Sequence, residues 1–177
     1  MAGATYHHGD LHAEAVRRAV AMMEDAGKDA LSLRKVAAAA GVSHAALYRH
    51  FASRDALLDA VAAHGFAALT QRLSRARDRE SFIAGYLDFA GEQPVLYDVS
   101  MSRSNAAYGP GSELHERLQD LLAQAYRVFG SSGDAPARRA VLRAWIILHG
   151  ALGLYNAGVL RTQGRRELLR LAVDLID

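Results

Sequence analysis

The chain has 177 residues and a formal net charge of +2, and it is 51% apolar, 23% charged and free of cysteine. These values predict a folded globular chain of one or two domains, and they exclude disulfides, thiolate metal sites and cysteine nucleophiles. Because no apolar run reaches about 18 residues and no secretory hydrophobic core opens the chain, we expect a cytoplasmic protein that does not cross a membrane.

Helical patterns dominate the chain. It has only three prolines, alanine, leucine and arginine are plentiful, and no run alternates in the way strands do. We therefore predict an all-α protein. Apolar periodicity and capping residues predict helices, in chain order, at residues 11–26, 33–40, 44–51, 54–76, 80–92, 95–103, 113–129, 136–159 and 165 to the end.

A run of charged residues at 74–80 (SRARDRE) indicates a domain boundary. We expect an N-terminal domain at 1–55, extended by the start of the long fourth helix at 54–76. The remaining helices, in residues 77–177, would form a C-terminal domain.

The stretch 33–51 (LRKVAAAAGVSHAALYRHF) has the pattern of two short helices joined by a tight turn. Gly41 stands where the first helix ends and a positive φ is needed, and Ser43 is a natural N-cap for the second helix. Leu47 and Phe51 would be the buried residues of that second helix. This is the helix-turn-helix pattern, whose second helix lies in the DNA major groove. An ordinary helical hairpin in an all-α core is the alternative.

The N-terminal end of the second helix is the part that would face the base edges. Ser43, His44 and Ala45 lie there. His44 can donate or accept a hydrogen bond towards bases, and Ala45 can contact a thymine methyl group. Because this helix has few long polar side chains, we expect water and DNA shape to contribute to base specificity.

Four ordered segments, residues 31–37, 40–43, 47–51 and 53–58, together resemble the DNA-binding domain of TetR-type transcriptional regulators. The resemblance is more specific than a bare helix-turn-helix, because it extends through the start of the fourth helix. It implies an N-terminal three-helix DNA-binding domain and a C-terminal helical domain for ligand binding and dimerisation.

The resemblance also implies which side chains contact the DNA backbone. They are Ser32, Arg34, Tyr48, His50 and Arg54. Arg54 stands where the family often has lysine. Ser32 and Arg34 begin the second helix, where free amides and the helix dipole favour phosphate, and the alternative for these two is that they reach the edge of the groove. For Tyr48 the alternative is a core aromatic ring with its hydroxyl at the rim.

Farther along the chain, Trp145-x3-His149-Gly150 resembles a subgroup whose C-terminal domain carries a Trp-His-Gly motif. The family implies a homodimer in which the last two helices of each subunit form a four-helix bundle. It also implies that the central helices enclose a pocket whose ligand releases the operator, so the expected function is ligand-released repression.

The last two helices support the dimer through their own composition. The eighth has small residues that permit close packing, and the ninth is too apolar to cover only one face. The residues expected at the interface are Gly150, Gly153, Ala157, Leu168, Leu171, Ala172 and Leu175. The alternative is a monomer that buries these residues in its own core.

Aromatic and soft side chains on the central helices are the candidates for effector contacts. They are Phe82, Tyr86, Phe89, Tyr97, Met101, Tyr126, Trp145 and His149. The alternative for each is a place in the core, and His149 shares a helix face with Trp145.

No nucleophile elbow, P-loop, dinucleotide fingerprint or cluster of metal ligands occurs, so we expect neither an enzyme nor a cofactor or metal. His8 and His12 are four residues apart but have no third ligand nearby. The expected partners are a double-stranded DNA operator, a second copy and a small effector, with no membrane. A constitutive regulator without a ligand is the alternative, and a non-specific architectural DNA-binding protein usually carries more basic charge.

Overall fold

The structure, a computed structural model, describes residues 11–103, 110–130 and 135–176. That part of the chain is all-helical, which confirms the predicted fold class. Its α-helices are α1 (Leu11–Ala26), α2 (Leu33–Ala39), α3 (His44–Tyr48), α4 (Arg54–Leu73), α5 (Arg79–Glu92), α6 (Pro94–Ser102), α7 (Glu113–Phe129), α8 (Ala135–Asn156) and α9 (Arg165–Ile176). From the sequence, Asp10 is an expected N-cap of α1, and residues 6–8 could contact a DNA groove or backbone, with a disordered terminus as the alternative. These residues lie outside the described part of the chain.

The helix bounds follow the predicted ones closely, and α1 and α7 begin and end at the predicted residues. The second helix of the helix-turn-helix, α3, ends at Tyr48 rather than at residue 51. The amides of both His50 and Phe51 donate to the Leu47 carbonyl at 3.0 Å, so the chain turns there. Among the described residues, no helix combines the length and apolarity needed to cross a membrane.

The chain folds into two compact units that do not follow the linear boundary predicted from the charge run. Where they are described, the units span Met1–Gly65 with Val95–His115, and Phe66–Pro94 with Glu116–Asp177. Most of α6 thus belongs with α1, α2 and α3, although the sequence suggests the C-terminal domain.

Close packing explains why α6 joins the first unit. The hydroxyl of Ser100 donates to the Leu96 carbonyl at 2.7 Å and lies 3.4 Å from the carbonyl oxygen of Ala62 on α4. A Cβ added to Gly65 would lie 2.0 Å from that hydroxyl oxygen. Arg103, just after α6, also forms ion pairs with Asp55 and Asp59 on α4. Glycine at position 65 therefore lets α6 approach the first half of α4.

One apolar core holds the helices of the first unit together. Val16 on α1, Leu47 on α3 and Val61 on α4 are each at most 4% exposed, and Phe51 is 1% exposed. The ring of His12 stacks on that of Phe51 at 4.7 Å between centroids. Fully burying a side chain of this size is worth about 1.5–3 kcal/mol, so this core is the main source of the unit's stability.

The second unit brings α5, α8 and α9 together around aromatic and aliphatic side chains. Asp78 and Ser81 form a capping box at the start of α5, and the ring of Phe82 meets that of Phe129 edge-on at 5.3 Å. The guanidinium of Arg127 donates to the Ala76 carbonyl at 3.2 Å, just beyond the end of α4. Its Nη2 also donates to the carbonyl of Leu73, the last residue of α4, at 3.4 Å, so Arg127 links α7 to the end of α4.

Ion pairs link three helices on the surface of this unit. Arg72 on α4 donates to both carboxylate oxygens of Glu92 on α5, at 2.6 and 3.0 Å. Arg165 on α9 pairs with Asp88 at 3.1 Å, and its guanidinium passes over Gly91, where an added Cβ would lie 1.5 Å from Nη2. The hydrogen bonds from Arg72 hold the pKa of Glu92 below its ordinary value.

This lowered pKa gives the stability a predictable pH dependence. A carboxylate whose pKa is lower in the folded than in the unfolded state stabilises the fold at pH values above its unfolded pKa, which is about 4.3 for Glu. That stabilisation is lost as the pH falls through the folded-state pKa. We therefore expect Glu92→Gln to lower the melting temperature at pH 7 and to have little effect near pH 3. The control is Glu80→Gln, which leaves the Arg72 pair in place. A difference between wild type and Glu92→Gln that stays constant from pH 3 to 7 would contradict this assignment.

Candidate nucleic-acid interface

The turn between α2 and α3 is closed by backbone hydrogen bonds. The amide of Gly41 donates to the Ala38 carbonyl at 3.1 Å, and the amide of Val42 donates to the Ala37 carbonyl at 3.0 Å. Gly41 has a φ of +68°, which residues with a Cβ adopt only at a cost. The glycine therefore permits the sharp change of direction that separates the two helices.

Helix α3 is only five residues long and is fixed at both ends. The Ser43 side chain accepts from the Ala46 amide at 3.1 Å, which confirms the predicted N-cap. Leu47 is fully buried. Because Leu47 fixes which side of α3 faces the core, the opposite side is left for solvent or DNA.

The exposed side of α3 presents the residues predicted to read bases. Ser43, His44 and Ala45 are all exposed at its N-terminal end. Tyr48 is 44% exposed, and its ring meets the ring of His44 edge-on at 4.5 Å. Tyr48 is thus a surface residue of α3 rather than a core aromatic, with its hydroxyl available for a hydrogen bond.

The predicted backbone contacts are in different environments. Ser32 caps α2 by accepting from the Lys35 amide at 3.2 Å, and Arg34 is exposed in the first turn of that helix. His50 is half-buried, with its ring 6.5 Å from that of Phe51. Arg54 is exposed, but its guanidinium already donates hydrogen bonds to backbone carbonyls within the chain.

The predicted effector residues divide between the two units. Tyr97 and Met101 lie on α6 in the first unit, and the other six lie in the second. Phe82, Tyr86, Phe89 and Tyr97 are buried, whereas His149 is exposed. Burial favours a role in the core for these four residues. Trp145 is half-buried, so a ligand could reach part of its surface.

An exposed apolar face lies on α8 and consists of Leu142, Ile146, Gly150 and Gly153. Leu142 is 59% exposed and Ile146 63% exposed, and a Cβ added to either glycine would meet no heavy atom within 4 Å. The two large residues are not among those predicted from the sequence to lie at an interface, although their spacing of four places them on one face of the helix. An open groove of about 600 Å³ borders this face, with Arg139 among its lining residues.

Two of the expected interface residues are buried within the chain itself. Leu168 is 1% exposed and Ala172 is fully buried, because α9 turns this stripe towards α5 and α8 of its own chain. Leu171 is half-buried, Ala157 is exposed and Leu175 is 53% exposed. Like Gly150 and Gly153 on α8, these last three residues leave surface that a second chain could contact.

Comparison with known proteins assigns the chain to a family. A model described as bacterial regulatory proteins of the tetR family matches residues 16–61. A second model, described as a tetracyclin repressor-like C-terminal domain, matches residues 79–176, which include Trp145, His149 and Gly150. The chain belongs to the TetR family of transcriptional regulators. Members of the TetR family are DNA-binding transcription factors and not enzymes.

Individual relatives agree with this assignment. The class A tetracycline repressor from transposon 1721 of Escherichia coli is 34% identical over 171 residues, covering 92% of this chain and 79% of that protein. A protein of unknown function from Rhodococcus sp. RHA1 is 31% identical with a TM-score of 0.80, and the match covers 98% and 97% of the two chains. A TetR-family regulator from Streptomyces coelicolor, 18% identical with a TM-score of 0.65, shares the fold over 95% of this chain and 78% of its own.

The exposed side of α3 allows base reading and backbone contact to be separated by mutation. We expect His44→Ala to reduce the preference for a selected operator over random DNA by about 1–3 kcal/mol, because it removes a contact to a base edge. Tyr48→Phe, which removes only the hydroxyl, should weaken binding to both duplexes by the same factor. Dissociation constants for the two duplexes at one salt concentration test this pair. If His44→Ala lowered both affinities equally, its assignment to base reading would be wrong.

Proposed function

We propose that this TetR-family regulator is a homodimeric repressor that reads a roughly palindromic operator through α3 and is released by a small apolar or aromatic effector. The observation that carries the dimer is the exposed apolar face of α8. Repression is supported by the 34% identity to a protein named as a tetracycline repressor.

The composition of the α8 face favours a second copy of the chain as its partner. Two large aliphatic side chains project from it, and Gly150 and Gly153 offer a surface where another helix can approach closely. A two-fold interface uses the same patch on both subunits, so a self-complementary apolar helix face suits it. Leu175 on α9, also exposed, would extend the contact.

Two-fold symmetry has a direct consequence for the DNA. A dimer presents two α3 helices, so the operator should contain two similar half-sites in inverted orientation. Their centres should be about 34 Å, one helical turn, or a multiple of that distance apart. Selecting bound sequences from random DNA and footprinting the product tests this, and a single asymmetric half-site would contradict it.

The α8 face gives a direct test of dimer formation. We expect Ile146→Glu to leave the fold intact, because the side chain is 63% exposed, and to weaken the dimer by about 2 kcal/mol or more. Sedimentation velocity over a concentration series measures this. The control is Gln119→Glu, which adds the same charge at an exposed position of α7. If Ile146→Glu sedimented like wild type, α8 would not be part of the dimer interface.

Effector release is supported by the aromatic side chains of the second unit, among which Trp145 is only half-buried. The buried positions of Phe82 and Phe89 favour the alternative of a constitutive regulator without a ligand. The net charge of +2 gives little support to a non-specific architectural protein.

The two regulatory alternatives differ in a thermal-shift screen of apolar and aromatic compounds. If an effector exists, a hit should raise the melting temperature of wild type, raise that of Trp145→Ala less, and release the operator. Trp145→Phe is the matched variant, because it keeps an aromatic ring at that position. The absence of any hit would favour the constitutive regulator.

A further inference from the structure

Arg54, in the first turn of α4, binds the backbone of a segment far from it in sequence. Its Nε donates to the Leu31 carbonyl at 3.1 Å, and its Nη2 donates to the Lys28 carbonyl at 2.7 Å. These carbonyls flank the connection between α1 and α2, defined here as Lys28–Leu31. The next residue, Ser32, is the N-cap of α2. Arg54 thus holds the segment from which α2 begins.

The geometry of the guanidinium limits what else Arg54 can do. Nε and Nη2 lie along one edge of the planar group, and that edge is the one used for side-on bidentate recognition of carboxylate or phosphate. In this structure both donors of that edge are bonded to carbonyls. A lysine at this position, as the family often has, would place all its donors on one nitrogen and would lack the fork.

We propose that Arg54 is a positioning residue for DNA binding, which fixes the Lys28–Leu31 connection and so orients Ser32 and Arg34 towards the DNA backbone. The inference rests on the proposed use of α2 and α3 at the operator. It differs from the resemblance, which implies that Arg54 itself contacts phosphate. The effect of Arg54 on DNA binding is then transmitted through Arg34.

The surrounding contacts allow the role of Arg54 to be tested by mutation, because they keep the Lys28–Leu31 connection anchored when Arg54 is replaced. The side chain of Lys28 pairs with Asp98 on α6, so the connection keeps one anchor when Arg54 is replaced. Leu31 is 3% exposed and also remains in place. The Ser53 side chain accepts from the Ala56 amide at 3.1 Å and caps α4 beside Arg54. Ser53→Ala therefore weakens the same helix end without removing the two carbonyl contacts.

A double-mutant cycle between Arg54 and Arg34 separates positioning from direct contact. The probe is an operator duplex selected from random DNA, and binding is measured by fluorescence anisotropy at several salt concentrations. The variants are Arg54→Ala, Arg54→Lys, Arg34→Ala and the Arg54→Ala/Arg34→Ala double mutant, with Ser53→Ala as the control. Circular dichroism and melting temperature establish that each variant is folded at the temperature of measurement.

Positioning predicts that the two arginines act as one unit. Arg54→Ala and Arg34→Ala each weaken operator binding about tenfold. The affinity of the double mutant is within about twofold of either single variant, because replacing Arg54 already abolishes the phosphate contact of Arg34. The slope of log affinity against log salt concentration becomes shallower by roughly 2 per dimer in each single variant, since each phosphate contact contributes about 0.9. It becomes no shallower in the double mutant. Arg54→Lys remains as weak as Arg54→Ala, and Ser53→Ala binds within about threefold of wild type.

Direct phosphate contact predicts the opposite on each count. Arg54→Lys would restore binding, and the costs and slope changes of the single variants would add in the double mutant. Either result overturns the inference, as does an Arg34→Ala variant that binds like wild type, or a loss in Ser53→Ala equal to that in Arg54→Ala. An operator bound equally well by wild type and Arg54→Ala would overturn this inference alone, whereas failure to select any sequence would overturn the proposed function as well.

Discussion

Helix α3 depends on the burial of Leu47. A helix of five residues has almost no stability of its own, since the cost of its first turn exceeds what so few hydrogen bonds return. Leu47 is fully buried, and the Ser43 cap and the positive φ of Gly41 fix where the helix begins. The rest of the first unit provides the core around Leu47. The side chains of His44, Ala45 and Tyr48 on the exposed side of α3 are therefore oriented by the packing of other residues.

The same arrangement explains how a chain with a small net charge can serve as a DNA-binding protein. The residues on the exposed side of α3 are short or aromatic, so we expect recognition to depend on their placement more than on attraction to phosphate. Long-range contacts hold the helices around α3: Arg54 bonds to the segment before α2, and Gly65 lets Ser100 of α6 approach α4. A surface of this kind loses binding through small rearrangements, which is the property that a regulated DNA-binding protein needs.

The sequence predicted what depends on local pattern. The bounds of α1 and α7 were predictable from their apolar periodicity and flanking loop residues, and the Ser43 cap from its place before the helix. Contacts across the fold were not. Periodicity shows that α9 is apolar on several sides, but only packing shows that Leu168 and Ala172 face inwards. Nothing local signals the bonds of Arg54, because their acceptors are backbone carbonyls 23 and 26 residues earlier.

We propose that one regulator unit consists of two chains, each with one α3 on the same operator. The mass of the protein–DNA complex, measured by native mass spectrometry with a selected operator duplex, tests this most directly. We expect two chains per duplex, with no complex of one chain at concentrations where binding is half complete. A stable complex of one chain on a full-length operator would contradict the account, because a monomer would then suffice for recognition.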